Sequence, residues 1–207
     1  MIAIVDYGLG NVSAILNVYK RLNVKAFIAN SKEELIKAQK IVLPGVGGFD
    51  QAMYLLGNSG MKEVLNELVL EKEIPVLGVC VGMQIMAQSS DEGSSPGLNW
   101  IKGEVKSLKT KLIPERLALP HMGWNEVSIK SKDELFTGFE ERPQFYFLHN
   151  YHFVCADEYT SIATADYGID ISCIVKSKNI YGVQFHPEKS HHNGVSLLKN
   201  FSELNFA

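Results

Sequence analysis

Short apolar runs alternate with amphipathic stretches through the first half of the chain. Residues 2–6, apolar until Asp6, predict a strand. Val12, Ile15, Leu16, Tyr19 and Leu22 follow at helical spacing. Residues 24–29 predict a second strand, and Ser31 with Glu34 has the spacing of a capping box that opens a helix. Residues 40–43 predict a third strand. Beyond a glycine-rich segment, Met61, Val64, Leu65 and Leu68 form one helical stripe, and residues 74–79 predict a fourth strand. Strands joined by helices imply right-handed crossovers, hence a doubly wound, largely parallel α/β sheet with helices on both faces.

The second half is richer in strands. Residues 145–153, 160–164, 171–176 and 180–185 predict a partly antiparallel extension of the sheet. A closing helix carries Val195, Leu198, Phe201 and Leu204, with Asn193 as its expected N-cap. Residues 89–97, rich in Ser and Gly, are expected to be an insertion or a mobile flap. No repeat or linker interrupts the pattern, so residues 1–207 are expected to form one domain.

Composition excludes several classes. A net charge of -3 offers no footprint for nucleic acid. The local cluster Lys102, Lys106, Lys109 and Lys111 reads as a solvated face. Three well-separated cysteines make neither a disulfide framework nor a zinc site, and Cys155 and Cys173 read as core filler. No stretch reads as a signal peptide or a membrane span, so a reducing, cytoplasmic setting is expected.

The chemistry concentrates where strands end. The apolar run 74–79 stops at Cys80, with Gly78 and Gly82 two positions to either side. A strand that breaks into a helix at such a residue has nucleophile-elbow geometry, here with Cys in place of Ser. N–H groups at the start of a helix over 81–87 would favour negative charge on the sulfur. Taken alone, a cysteine in an apolar run is more often a small core residue. A second cluster, Gln184-Phe185-His186-Pro187-Glu188, follows another apolar strand. Residues two apart in extended backbone face one side, so His186 and Glu188 can stand together, with Pro187 keeping the segment extended. The carboxylate would then orient the imidazole toward the sulfur, the logic of a nucleophile–base–orienter triad. Seen alone, the pair reads as surface turn residues, as do His191 and His192. Third, Leu43-Pro44-Gly45-Val46-Gly47-Gly48-Phe49 follows the third strand, and its glycines free backbone N–H groups for an oxyanion hole. Gly8-Leu9-Gly10-Asn11 is no dinucleotide fingerprint, because Ser13 occupies the third glycine position and no acid follows the second strand.

The elbow Gly78-Val79-Cys80-Val81-Gly82-Met83-Gln84 and the late His186-Pro187-Glu188 resemble the signature of triad (class I) glutamine amidotransferases, which have a flavodoxin-like fold. Within that class, Pro44-Gly45-Val46-Gly47, Pro120-His121-Met122-Gly123-Trp124-Asn125 and Gln184-Phe185-His186-Pro187-Glu188-Lys189-Ser190 are similar to the glutaminase (HisH) subunits of imidazole glycerol phosphate synthase. The likeness runs essentially end to end. It implies that Cys80 attacks the side-chain amide of L-glutamine, that His186 is the acid and base, and that Glu188 orients it. The N–H of Val81 and one from Val46 or Gly47 would hold the oxyanion. Gly45, Gly47, Gln84, Glu92, His149, Asn150 and Tyr151 would hold the substrate, although the family usually has Ser where this chain has Asn150. No cofactor or metal is implied.

The likeness also implies a partner, a (β/α)8-barrel (HisF-like) synthase forming a heterodimer and receiving ammonia for histidine biosynthesis. Asn11, Trp124 and Lys189 would face it, with Trp124 equally able to be core. A related glutaminase serving a different synthase, for example one amidating a surface sugar, is the alternative reading. A non-catalytic scaffold is the third.

Overall fold

The computed structural model describes residues 1–108 and 117–205, so Lys109 and Lys111 lie outside the described residues. The strands are β1 (Ile2–Val5), β2 (Ala26–Ala29), β3 (Lys40–Gly45), β4 (Val76–Cys80), β5 (Ser89–Ser90), β6 (Gly103–Ser107) and β7 (His121–Glu126). They continue as β8 (Ser128–Ile129), β9 (Gln144–His149), β10 (Tyr151–Cys155), β11 (Ser161–Asp166), β12 (Asp170–Ser177) and β13 (Ile180–Val183). The helices are α1 (Val12–Arg21), α2 (Lys32–Leu35), α3 (Phe49–Asn58), α4 (Lys62–Asn66), α5 (Val81–Gln84) and α6 (His191–Glu203).

The strands β2, β1, β3, β4 and β13 lie side by side and all run parallel. This is the doubly wound order whose ligand crevices open beyond the carboxyl ends of the strands. β12, β10 and β6 extend the sheet in antiparallel fashion, and β11 pairs with β12 and β8. β7 and β9 form a separate antiparallel ribbon. The apolar runs are explained by their position. β1 and β4 are buried at every residue, because helices cover both sheet faces. Each buried Ile, Leu or Val there contributes about 1.5–3 kcal/mol relative to exposure.

The cap of α2 forms as predicted, with a variation. Ser31 Oγ accepts from the Glu34 N–H at 3.4 Å, while the Glu34 carboxylate accepts from the N–H of Asn30, at 2.9 Å, rather than that of Ser31.

Four expectations need correction. The run 145–153 is two strands, β9 and β10, which pair with different partners, and the break falls at Asn150. The helix after Cys80 closes after a single turn, Val81–Gln84. The closing helix starts at His191, and Asn193 lies inside its first turn with its amide donating to the Gln144 carbonyl at 3.0 Å. That start also takes His191 and His192 out of the loop that the sequence suggested. Residues 89–97 are tied down rather than free. Ser89–Ser90 pair with β6, and the Asp50 carboxylate accepts from the N–H groups of Ser94 (3.1 Å) and Ser95 (2.9 Å). Among the described residues, no helix is long and apolar enough to cross a membrane.

Candidate active site

Cys80 closes β4 with φ +55° and ψ −113°. A non-glycine residue held there stores about 1–3 kcal/mol of backbone strain, and such strain gathers at functional corners. The packing that imposes it is visible at the glycines. A Cβ on Gly82 would stand 1.9 Å from the Leu43 carbonyl oxygen, and one on Gly45 would stand 2.6 Å from the Gly82 nitrogen. Only bare backbone lets β3 press this closely on the elbow.

Strand register then brings the other groups alongside. Gly45 is paired with Cys80, which sets Val46 and Gly47 beside the sulfur. Val183 is paired with Val79, so the residues that follow β13 emerge next to the elbow. Among them, the N–H of His186 donates to the Tyr146 carbonyl at 2.9 Å, and the Ser190 hydroxyl donates to the His186 carbonyl at 2.6 Å. His186 is thereby pinned between the sheet and the β7–β9 ribbon.

His186 Nδ1 stands 3.0 Å from Glu188 Oε1, with side-chain exposures of 5% and 2%. Pro187 opens a single 3-10 turn, Pro187–Lys189, instead of continuing the extended segment predicted. Its fixed φ suits a first helical position equally well, and Glu188 still reaches the ring. Burial alone would lower the basicity of His186. Its coupling to the Cys80 sulfur and its hydrogen bond with Glu188 outweigh it and hold the imidazole up at about 10. A protonated ring beside a sulfur favours the nucleophilic thiolate. With α5 reduced to one turn, this ring matters more than any helix dipole.

Cys80 and His186 border a cleft of about 220 Å³. That lies below the roughly 300–1,000 Å³ usual for drug-sized ligands and suits one of amino-acid size. Val46, Gly47, Val81, Gln84 and Glu92 line it, together with His149, Asn150, Tyr151, His186 and Lys189. Gly45 does not; it is packed beneath, against the elbow. The Glu92 carboxylate accepts from the N–H of Phe49 at 2.8 Å, tying the loop beyond the elbow to the glycine segment. His149 is engaged on both sides, with its Nδ1 at 2.8 Å from the Tyr151 carbonyl and its Nε2 at 2.9 Å from His121 Nδ1. Burial lowers both rings, His149 to about 3 and His121 to about 4, so both are neutral. A larger cleft at the amino ends of β4 and β13 is bordered by Lys72, Glu73, Lys176 and Lys178, and neither cysteine nor histidine is among the residues lining it.

Asn11 and Trp124 lie outside the cleft. Trp124 is not core: it is 46% exposed, stacks on His191 at 5.1 Å, and neighbours Tyr146. Met122 and Leu148, paired across the ribbon, are exposed with it. Leu148 and Lys189 belong to the rim of the cleft, so this apolar face adjoins its mouth.

Three groups escaped the sequence. The Leu148 carbonyl lies 4.0 Å from the Cys80 sulfur. The Tyr7 hydroxyl is buried without a partner near Gly45, and burial together with Cys80 raises its pKa. Gln184 Nε2 lies 3.8 Å from the sulfur. The period of two that joined His186 to Glu188 would have found Gln184 as well.

Known proteins resemble the chain along its whole length. The profile of the family Glutamine amidotransferase class-I matches residues 3–204. Imidazole glycerol phosphate synthase subunit HisH of Bdellovibrio bacteriovorus is 53% identical across 99% of this chain and 100% of that one. Subunit HisH 2 of Pseudomonas aeruginosa is 43% identical over the same shares. Among solved structures, a glutamine amidotransferase superposes with TM-score 0.75 at 18% identity, covering 98% of this chain and 98% of that one. PurLQS from Thermotoga maritima gives 0.72 at 16% identity, covering 97% and 96%. Both are likenesses of fold alone. With its elbow, its late His–Glu pair and full-length relatives of this kind, the chain belongs to the class-I glutamine amidotransferases and, among them, to the HisH subunits.

Proposed function

We propose that this chain is the glutaminase subunit of an imidazole glycerol phosphate synthase, working in histidine biosynthesis. The observation that carries the reading is the meeting of Cys80 and His186 at one small cleft, with Glu188 buried behind the ring, in a chain about half identical to HisH subunits over its whole length.

The reaction follows from the groups present. The Cys80 thiolate attacks the side-chain carbonyl carbon of glutamine. The oxyanion so formed accepts from the N–H of Val81, which as the first residue of α5 has no intrahelical acceptor, and from Val46 or Gly47. His186 gives its proton to the departing nitrogen, releasing ammonia and leaving a glutamyl thioester. It then takes a proton from water, which attacks the thioester and frees glutamate. Glu188 holds the ring in the tautomer that these transfers need.

A partner synthase subunit receives the ammonia. We assign it a (β/α)8 barrel, a heterodimeric arrangement, and docking over the Met122, Trp124 and Leu148 face, with Asn11 and Lys189 at the margin. Large aromatics anchor interfaces of this sort. Purification with the cognate synthase, followed by measurement of glutamate release and product formation from glutamine, tests the reading. Failure of the two proteins to associate, or release of glutamate that never feeds synthesis, would overturn it.

A further inference from the structure

Gln184 is 1% exposed and belongs to no step derived above. Its surroundings fix which end of its amide faces the sulfur. The Tyr151 carbonyl can only accept, so the group of Gln84 that lies 3.1 Å from it must be Nε2. That same nitrogen lies 3.0 Å from Gln184 and donates its second hydrogen there, so the atom receiving it is Gln184 Oε1. The other end of the Gln184 amide is then Nε2, and it points at Cys80 Sγ from 3.8 Å. A backbone carbonyl thus dictates, through two glutamines, that the sulfur meets a hydrogen-bond donor. Turned the other way, the amide would set a carbonyl oxygen against the thiolate and repel it.

We propose that Gln184 is a positioning residue for Cys80, an amide donor that holds the thiolate in place beneath the cleft and lowers the cost of its charge. The sulfur sits between two kinds of neighbour. The Leu148 carbonyl, at 4.0 Å, can receive its proton in the thiol form. Gln184 donates to it in the thiolate form, and the charged His186 ring across the cleft favours that form. Hydrogen bonds to a charged group are stronger than those between neutral ones, so Gln184 tilts the balance toward the nucleophile. The inference rests on the reading of Cys80 as that nucleophile, and on no contact with substrate.

The test is alkylation of the full-length chain by iodoacetamide without glutamine, followed peptide by peptide across a pH series. Gln184→Met and Gln184→Leu both remove the donor. Met keeps the length of the side chain and a weak acceptor for Gln84, so it covers the case in which Leu does not fold. Cys155, whose thiol burial pushes up to about 11, is the comparison within the same molecule. The expected result is fast reaction of Cys80 in the parent. In the variants the Cys80 profile moves to higher pH, with a rate at neutral pH about tenfold lower, the equivalent of one pH unit. A role in packing alone would lower the urea midpoint and leave that profile in place. An unmoved profile in the folded Met variant would therefore overturn the inference. Should Cys80 of the parent react no faster than Cys155, the nucleophile reading itself would fall.

Discussion

Glu188 Oε1 holds His186 Nδ1 at 3.0 Å, on a ring that borders the same cleft as the Cys80 sulfur. The carboxylate acts only through the imidazole, so its removal tests orientation separately from nucleophilicity. Glu188→Gln keeps the shape but offers Nδ1 an amide that can turn its own N–H toward the ring. Glutamine-driven turnover is expected to fall by about 10⁴, as for loss of the acid in Ser–His–Asp triads. Synthesis driven by free ammonium in the assembled complex should hold its rate. Comparison of the two rates checks this, and a fully active variant would remove Glu188 from the machinery.

Removing the sulfur should separate chemistry from backbone strain. Cys80→Ala abolishes glutamine-dependent synthesis and spares the ammonium-dependent reaction. Cys80→Gly does the same, but it also relieves a non-glycine residue held at φ +55°. Urea unfolding should find the Gly variant more stable than the Ala variant by about 1 kcal/mol or more. Equal midpoints would mean that the elbow carries no strain.

Much of the parallel half was legible because its physics is local. Strands buried on both faces show as unbroken apolar runs, and β1, β3 and β4 fall where those runs lie. The placement of Cys80 and His186 at one end of the sheet was legible for the same reason, since each terminates or follows such a run. What stayed hidden depends on pairing. Residues 144–155 alternate smoothly in sequence, yet the chain changes sheets at Asn150, and nothing in the residues marks a change of partner. Trp124 and Met122 sit in a ribbon so narrow that one face is left bare, which composition does not register. Gln84 was legible as a pocket residue but not as the group that aims Gln184, because that needs the Tyr151 carbonyl in three dimensions.

Close backbone packing predicts a sharp contrast between two glycines. At Gly82 an added Cβ would meet the Leu43 carbonyl oxygen at 1.9 Å and the Pro44 backbone at 3.1 Å, neither able to move without shifting β3. Gly82→Ala should cost about 3 kcal/mol or more, or prevent folding. Gly57, in α3, has nothing within 4 Å of that position. Gly57→Ala should stabilise by about 0.5–1 kcal/mol through helix propensity. Paired denaturation curves would settle both signs.

Stability should peak near pH 6.5 and decline on either side. In the unfolded chain His121 and His149 protonate near 6.5, whereas in the fold burial lowers them to about 4 and about 3. Between those limits the unfolded state binds two protons that the fold excludes. The stability present above pH 6.5 is therefore lost as pH falls, at up to about 2.7 kcal/mol per pH unit. His152, also lowered by burial, acts in the same direction. His186 runs the other way. Held up at about 10, its contribution is complete below pH 6.5 and disappears as pH rises toward 10. Urea midpoints across a pH series should trace this dome, and His121→Phe should flatten the acid limb while leaving the alkaline one. A parent curve that stayed level from pH 7 to pH 4.5 would contradict the neutral histidine pair.

Glu92 does two things that a charge-neutral substitution can separate. One carboxylate oxygen accepts from the Phe49 N–H at 2.8 Å, which secures the segment bearing Val46 and Gly47 at the start of α3. The rest of the side chain borders the cleft, where its charge suits the ammonium group of an amino acid. Glu92→Gln keeps an acceptor for Phe49 and loses the charge, so KM for glutamine should rise about tenfold or more with kcat little changed, the pattern of lost ground-state binding. Glu92→Ala loses both functions, and kcat should then fall as well, because the donors beside Cys80 are no longer held. Steady-state glutaminase kinetics of the two variants in the assembled complex make the comparison. If the Gln variant keeps the parental KM and kcat while the Ala variant loses kcat with KM unmoved, Glu92 serves the glycine segment alone and the substrate's amino group is read elsewhere.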